Sequence, residues 1–362
     1  MVPGAMPVQA QDGAWTVVAE GLDAPRGLTF AQDGTLYVAL AGSGGGECMD
    51  AQGPEGETMQ MCPGATGSIS TVDVATGTVT PVVESLPSVF LPVEGVLGPP
   101  DVAIDTDSTI FYLTPDGNVP DAPERAADDT GGIVWKVRPD GKREQVADTV
   151  AFEAANNPDG GVLDSNPNGL AIAPDGSLLV ADAGGNALLR IDTDGSITVD
   201  AVFPDTMMEA PGASDAAQAD PSAEPQMIPV QAVPTSVTVG PDEAAYVTFL
   251  TGGPFVPGAA WVARVAQGEE PTVYADGFTN VIDAAFASDG TLYVLEMATN
   301  GLASGDTTGG LWSVPAGGGE PTLVTTDGLV LPGGIAIGTD DAIYVSNGGR
   351  FPGEGSIVKL NA

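Results

Sequence analysis

The stretch "SNPNGLAIAPDGSLLVADAGGNALLRID", residues 165–192, contains two short apolar runs separated by an Asp-Gly turn. Asp-Gly between two such runs is the strongest short-range signal for a β-hairpin. The second run ends on Asp182, directly before Gly184-Gly185-Asn186. Whether Asp182 belongs to a site or only to a turn depends on whether this stretch is repeated in the chain.

Five other segments align with residues 167–182 without gaps. They are "PRGLTFAQDGTLYVAL" (25–40), "PPDVAIDTDSTIFYLT" (99–114), "PTSVTVGPDEAAYVTF" (234–249), "VIDAAFASDGTLYVLE" (281–296) and "PGGIAIGTDDAIYVSN" (332–347). All six copies carry an aspartate in one turn column, at Asp33, Asp107, Asp175, Asp242, Asp289 and Asp340. The shortest spacings match the ~40–50 residues of a propeller blade. The aspartates of this column are therefore expected to form turns.

A third and a fourth strand follow each copy, except that the last copy has only a third strand, "GSIVKLNA" (355–362). The segment "AWTVVAEGL" (14–22) resembles the outer strands of the other copies and is expected to complete the last blade. Closing the ring in this way removes an exposed sheet edge. The sequence therefore predicts an all-β fold, a single six-bladed β-propeller with four antiparallel strands per blade.

The predicted propeller spans residues 14–362, after a flexible N-terminal segment at 1–13. A long loop is expected at 41–66. The acidic, proline-rich segment 204–230 is expected to be a mobile insertion, because it has too few apolar residues to build a core.

The charge balance excludes several classes of function. The chain has 10 basic and 49 acidic residues, a net charge of −39, so phosphate backbones and anionic membranes are repelled. No apolar run is long enough to span a bilayer, so membrane insertion is not expected. The absence of histidine removes Ser-His-Asp triads, histidine zinc sites and histidine proton transfer.

The two cysteines, Cys48 and Cys62, lie in a glycine-rich segment. Two thiolates alone make a poor metal site, so a disulfide is the favoured interpretation. A disulfide indicates an oxidising compartment, which predicts a secreted, extracellular or periplasmic protein. The N-terminus lacks the pattern of a signal peptide, so the leader is expected to have been removed.

Long loops are expected on one face of the propeller, where binding usually takes place. Two alignment columns point toward that face and supply oxygen ligands of the kind that Ca²⁺ prefers. The candidate metal ligands are Asp182, Glu296, Asn347, Asn168, Asp101 and Asp283. Asp101 and Asp283 are expected to face each other across the central channel, because they lie in blades two and five. The alternative is that these side chains satisfy backbone groups at the blade ends or face channel water.

Several motifs resemble the ScyD/ScyE family of secreted bacterial propellers. They include "NPDGGVLDSNPNGL" (157–170), "VADAGGNALLRID" (180–192), "QAVPTSVTVGPD" (231–242) and "GGIAIGTDDAIYVSNGG" (333–349). The resemblance runs from about residue 15 to 362 and implies an exported NHL-like propeller without an established reaction. Family members commonly have a glutamate where this chain has Leu40. A site that needs a carboxylate from blade one is weakened by that difference.

Two functions remain open. The first is a non-enzymatic extracellular binding or scaffold protein, whose ligand is a small molecule, a glycan or a protein bound at the long-loop face. The second is a calcium-dependent hydrolase or lactonase of the gluconolactonase and paraoxonase type, in which the metal polarises a carbonyl. Lyase chemistry of the streptogramin type usually calls on histidine and is disfavoured. The absent histidine favours binding over catalysis.

Overall fold

A computed structural model describes residues 13–52, 58–115, 131–210 and 226–361. Its strands are, in chain order, β1 (Trp15–Leu22), β2 (Pro25–Phe30), β3 (Leu36–Leu40), β4 (Met49–Gln52), β5 (Thr58–Asp73), β6 (Thr78–Leu91), β7 (Gly95–Leu97), β8 (Val102–Ile104), β9 (Ile110–Leu113), β10 (Ile133–Val137), β11 (Arg143–Asp148), β12 (Pro167–Ile172), β13 (Leu178–Asp182), β14 (Ala187–Ile191), β15 (Ile197–Val202), β16 (Thr206–Glu209), β17 (Met227–Val230), β18 (Pro234–Val239), β19 (Ala245–Phe249), β20 (Ala260–Val265), β21 (Thr272–Phe278), β22 (Val281–Phe286), β23 (Leu292–Glu296), β24 (Gly310–Val314), β25 (Thr322–Thr325), β26 (Gly334–Ile337), β27 (Ile343–Asn347) and β28 (Gly355–Leu360). Helical structure in these ranges is limited to α1 (Thr149–Asn156) and a 3-10 turn (Leu302–Ser304). Neither is long and apolar enough to cross a membrane. The fold is all-β, as predicted.

In the described residues, six sheets each contain a run of four antiparallel strands, and we call these runs blades one to six. They are β2-β3-β5-β6, β8-β9-β10-β11, β12-β13-β14-β15, β18-β19-β20-β21, β22-β23-β24-β25 and β26-β27-β28-β1. The strands follow chain order except in the last, where β1 follows β28, and the first sheet also includes β4 and β7. The predicted pairing of the N-terminal strand with the last copy is observed, because β1 pairs with β28 from Trp15 opposite Leu360 to Leu22 opposite Gly355. The strand β1 therefore forms the outer edge of a blade whose other three strands are β26, β27 and β28.

The first strands of the blades (β2, β8, β12, β18, β22 and β26) each contact the next, and the last contacts the first. They surround a channel cavity of about 380 Å³. The hydrophobic core fills the spaces between neighbouring sheets. Between blades three and four, for example, Phe249 stacks on Trp261 at 4.2 Å and meets Phe203 edge-to-face at 4.7 Å. The core is thus divided into layers between blades, and the channel is left open to polar groups.

The turns between first and second strands behave as their sequences predict. Oδ1 of Asp33, Asp175 and Asp289 accepts a hydrogen bond from the backbone N–H two residues later, at 2.9 to 3.0 Å. Blade two is different, because Asp105 accepts the turn N–H groups and Asp107 only donates its own. The other five aspartates of the column accept N–H groups of their own turns and are structural.

Insertions leave the blades at one end only. Because the strands of a blade alternate in direction, the loops between second and third strands and the connections between blades leave from the same edge, which we call the long-loop face. The long loop at 41–66 contains β4 and the start of β5, which pair with each other. The ends of the predicted insertion at 204–230 also pair, as β16 with β17. Residues 1–12, 53–57, 116–130, 211–225 and 362 lie outside the described ranges.

The predicted disulfide between Cys48 and Cys62 is confirmed. It lies in the long loop at 41–66 and joins the residue before β4 to β5. We expect thiol titration of the denatured, unreduced protein to find no free thiol. Reduction is expected to lower the free energy of unfolding by about 3 kcal/mol, because the bond limits the unfolded chain. Two titratable thiols before reduction would contradict the bond.

Candidate functional site

Asp101 precedes β8 and lines the channel cavity. Its Oδ2 accepts a hydrogen bond from the backbone N–H of Leu170 in blade three, at 2.8 Å. Its Oδ1 accepts one from the N–H of Val102, also at 2.8 Å. Gly27 leaves the space for this carboxylate, because a Cβ at that position would overlap Asp101 Oδ1. Asp101 therefore joins the first strand of its own blade to that of the next.

Asp283 in β22 plays the equivalent role on the opposite side of the ring. Its Oδ2 accepts a hydrogen bond from the backbone N–H of Ile335 in blade six, at 2.8 Å. Its Oδ1 accepts one from Ser236 Oγ in blade four, at 2.5 Å. One carboxylate thus connects three consecutive blades. Asp283 lines the same cavity as Asp101, in the pairing of blades that the sequence predicted.

Burial raises the pKa of both channel carboxyls. The pKa of Asp283 rises to about 6, although its hydrogen bonds from Ser236 and the backbone oppose the shift. The pKa of Asp101 lies well above its usual value, first because of burial and second because of the negative charge of Asp283. The two carboxyls therefore lie in one channel cavity, where the negative charge of Asp283 raises the pKa of Asp101.

The column at the ends of the second strands has a shared structural role. Asp182 Oδ1 accepts a hydrogen bond from the N–H of Asn166, and Asn347 Oδ1 accepts one from the N–H of Val330. Glu296 Oε1 accepts one from the N–H of Thr279. Each donor belongs to the connection that enters the same blade. These side chains hold the incoming connection against the end of the second strand.

Asp182 answers the question raised by the opening stretch. It is 1% exposed, and its Oδ2 accepts a hydrogen bond from Ser165 Oγ at 2.6 Å. Its Oδ1 also accepts from the N–H groups of Gly184 and Gly185. Burial raises the pKa of this carboxyl, against the effect of these hydrogen bonds. Asp182 shapes the turn and anchors the preceding connection at once.

We expect Asp182→Ala to lower the free energy of unfolding by about 3 kcal/mol or more, because it leaves buried N–H and O–H donors without an acceptor. Urea denaturation followed by tryptophan fluorescence measures the loss. Asp194→Ala is the matched control, since Asp194 accepts only local hydrogen bonds in an exposed turn. Equal losses in the two variants would contradict the anchoring role of Asp182.

The structure brings two of the six predicted metal ligands into one cavity, Asp101 and Asp283. Asn168 Nδ2 donates to the backbone oxygen of Thr235, and the other three make the contacts described above. Among the described residues, no three acidic or cysteine side chains are grouped closely enough to hold a metal ion. A calcium site built from these residues stays a prediction.

A second group of carboxyls, which sequence reasoning missed, surrounds Glu153 on α1. Glu153 is 4% exposed, and its Oε1 has no hydrogen-bond partner. Burial raises its pKa to about 7, with further contributions from Asp159, Asp182 and Asp164. The sequence signal for α1 was Asp148, a residue type that often begins helices. It caps this helix of only two turns by accepting a hydrogen bond from Ala151 N–H. An apolar period cannot be recognised over so short a helix.

A scan against protein-family models finds no match for the chain, and a search of curated proteins finds none. Solved structures do resemble it. The PQQ-bound aldose sugar dehydrogenase of Streptomyces coelicolor is 15% identical over 97% of this chain and 99% of its own, with a TM-score of 0.56. Regucalcin of Agrobacterium tumefaciens, a calcium-binding protein, is 12% identical over 96% of this chain and 94% of its own, with a TM-score of 0.53.

A streptogramin B lyase is also 12% identical, over 96% of this chain and 97% of its own, with a TM-score of 0.52. Likeness at this level of identity is informative about the fold, and it leaves the reaction and the ligand undetermined. The chain therefore has the fold of the β-propeller proteins.

Proposed function

We propose that the chain is an exported, six-bladed propeller of the ScyD/ScyE kind that acts as an extracellular binding protein through its long-loop face. Its ligand is a small molecule, a glycan or a protein. The ring of blades supplies a rigid support, since the polar residues at its channel and blade ends are engaged in holding the backbone. The disulfide within the longest loop supports both the exported location and a fixed loop shape.

The distribution of exposed apolar side chains carries this proposal. Among the described residues, the large apolar side chains exposed on the long-loop face are Met49, Val93, Leu97, Val162, Leu163, Met207, Met227 and Val330. Those exposed on the outer fourth strands are Val17, Val82, Val199, Val273, Leu323 and Val324. The opposite face, with its short turns, exposes only Val74 within the same ranges. Apolar groups concentrated on one face of a highly charged protein are typical of an interaction surface.

Binding to arrayed glycans and peptides tests the proposal. The variant Val93→Ser, Val162→Ser, Leu163→Ser removes apolar surface from the long-loop face, where these side chains are 81%, 79% and 55% exposed. We expect it to lose the binding that the wild type shows. Val74→Ser, on the opposite face, is expected to keep that binding. Equal binding by both variants would contradict the assignment of the face.

A calcium-dependent hydrolase is the second candidate, and the two carboxylates in the channel cavity favour it. In that case Ca²⁺ would meet oxygens of Asp101 and Asp283 and would polarise a lactone carbonyl. The test is hydrolysis of a sugar lactone with added Ca²⁺, with Mg²⁺ as control and at constant ionic strength. Calcium-dependent turnover that is lost in Asp101→Asn would favour catalysis over binding alone. No turnover with either metal is the result expected of a binding protein.

A further inference from the structure

Two arginines on the long-loop face have no acidic partner among the described residues, whereas six other basic residues there do. Arg26 lies at the start of β2, and Arg350 lies in the loop between β27 and β28. Neither forms an ion pair with any carboxylate in the described part of the chain. With 49 acidic residues against 10 basic ones, a carboxylate partner would be easy to supply. Its absence at both positions therefore calls for an explanation.

The other basic residues in the described ranges all have partners. Six of them form ion pairs, namely Lys136, Arg138, Lys142, Arg190, Arg264 and Lys359. Arg143 lies over the rings of Tyr112 and Trp135, at 5.4 and 4.0 Å from their centres. Arg350 also lies over a ring, that of Phe351, at 5.7 Å from its centre. Arg26 and Arg350 differ from Arg143 because they are two neighbouring positive charges, neither of which has a carboxylate partner in these ranges.

Both arginines are fixed by the same connection between blades one and two. Arg26 Nη2 donates to the backbone oxygen of Val96 at 2.7 Å. Arg350 Nε donates to the oxygen of Glu94, and its Nη2 donates to the oxygen of Val93, both at 3.0 Å. Val96 N–H in turn donates to the oxygen of Arg350 at 3.0 Å. Shared anchoring of this kind sets the relative position of the two guanidinium groups.

Gly95 makes this close approach feasible. It has a φ of +101°, and a Cβ at this position would overlap the backbone oxygen of Arg350. The backbone bonds use one nitrogen of Arg26 and two of Arg350, so Nη1 of both and Nε of Arg26 have no acceptor among the described residues. Burial, followed by the charge of Arg350, lowers the pKa of Arg26 to about 10. Two neighbouring positive charges are thus held in place with donors to spare.

We propose that Arg26 and Arg350 bind a small oxyanion, a carboxylate or a phosphate, on the long-loop face. Guanidinium groups match the oxygen spacing of both anions and donate two parallel hydrogen bonds to them. A negative ligand group would balance this charge pair, which has no carboxylate counterion within the described ranges. The net charge of −39 repels large polyanions, so the ligand carries few charges. This inference rests on the proposed function and gives its ligand an acidic group.

The test is the melting temperature in rising concentrations of inorganic phosphate or of succinate, with sodium chloride holding the ionic strength constant. We expect a saturable increase with at least one of them, because an anion that binds only the folded state stabilises it. The larger response distinguishes phosphate from carboxylate. Arg350→Gln and Gly95→Ala are each expected to weaken the affinity roughly tenfold or more. Arg26→Lys keeps the charge but loses the paired donors, and it should weaken binding too.

Lys359→Gln is the matched control, because it removes one positive charge from a residue that pairs with Asp340. It should respond like the wild type. The proposal is overturned if neither anion gives a saturable shift beyond chloride, or if the Arg350 and Gly95 variants shift as much as the wild type. Array ligands that still bind under either outcome would leave the proposed function intact and remove only the anion site.

Discussion

Lowering the pH from about 8 to about 5 is expected to raise the free energy of unfolding by roughly 4 kcal/mol. Glu296 has a pKa of about 7 in the fold, and Asp283 has a pKa of about 6, in both cases chiefly because of burial. Both return to their ordinary values of 4.5 and 3.8 when the chain unfolds. Between these limits the folded state binds more protons than the unfolded state. Stability therefore increases as the pH falls through the folded-state pKa values.

The increase reverses in stronger acid. Carboxylates in the exposed turns, such as Asp33, Asp175 and Asp289, accept hydrogen bonds that lower their pKa values. Glu144, which meets Lys142 and Lys136, has a pKa of about 2. These groups stabilise the fold only while ionised, so their contribution is lost below about pH 4. We expect maximum stability between about pH 4 and pH 6.

Urea denaturation at a series of pH values, at constant high ionic strength, measures this profile. High salt screens the repulsion among surface charges, which also weakens on acidification. Glu296→Gln is the control variant, because glutamine keeps the oxygen that accepts from Thr279 N–H but does not titrate. It should reduce the slope of the profile between about pH 6 and pH 8, where Glu153 still titrates. A wild-type stability that stays constant or falls from about pH 8 to about pH 5 would contradict the raised pKa values of Glu296 and Asp283 in the folded state.

Deleting the chain through Leu22 is expected to lower the free energy of unfolding by an amount on the order of 5 kcal/mol. The deletion removes the strand pairing of β1 with β28 and the burial of Ala19 and Leu22. It also removes the hydrogen bond from Trp15 Nε1 to the oxygen of Asp327 in the neighbouring blade. A synthetic peptide of residues 13–24 should restore the melting temperature in a concentration-dependent way.

Two substitutions in the full chain test whether the core packing of β1 stabilises the fold, because the strand itself is present in both variants. Ala19 is 5% exposed and belongs to the core, whereas Val17 in the same strand is 48% exposed. We expect Ala19→Asp to be strongly destabilising and Val17→Asp to be nearly neutral. A truncated chain that melts at the temperature of the complete one would show that the strand does not close the ring.

The repeat made most of the fold predictable from the sequence. Asp-Gly turns and alternating apolar runs specify local hairpins, and their recurrence specifies the sheets. The closure by residues 14–22 was predictable because one blade lacked a strand. The helix at Thr149–Asn156 was not, since two turns are too few for a readable period and the inter-blade connection around it determines its place.

The polar residues were harder to predict than the strands. The columns correctly brought Asp101 and Asp283 to one channel, because the alignment gives position along a strand. They could not show that Asp182 and Glu296 use their oxygens on the backbone, since the donors at Asn166 and Thr279 come from loops without a repeat. The partnerless arginines were also invisible, because a missing ion pair appears only after folding.

The shared last blade has a consequence for the order in which the molecule is made. Thr16 and Asn361 are hydrogen-bonded although they lie 345 positions apart. The strand β1 therefore waits for its partner β28 until the 345 positions that separate Thr16 from Asn361 have been made. Until then the edge of β1 is open to other chains, and its pairing with β28 is a contact of very large sequence separation, which is intrinsically slow to form. A cell that produces this protein must protect the edge of β1 until β28 has been translated.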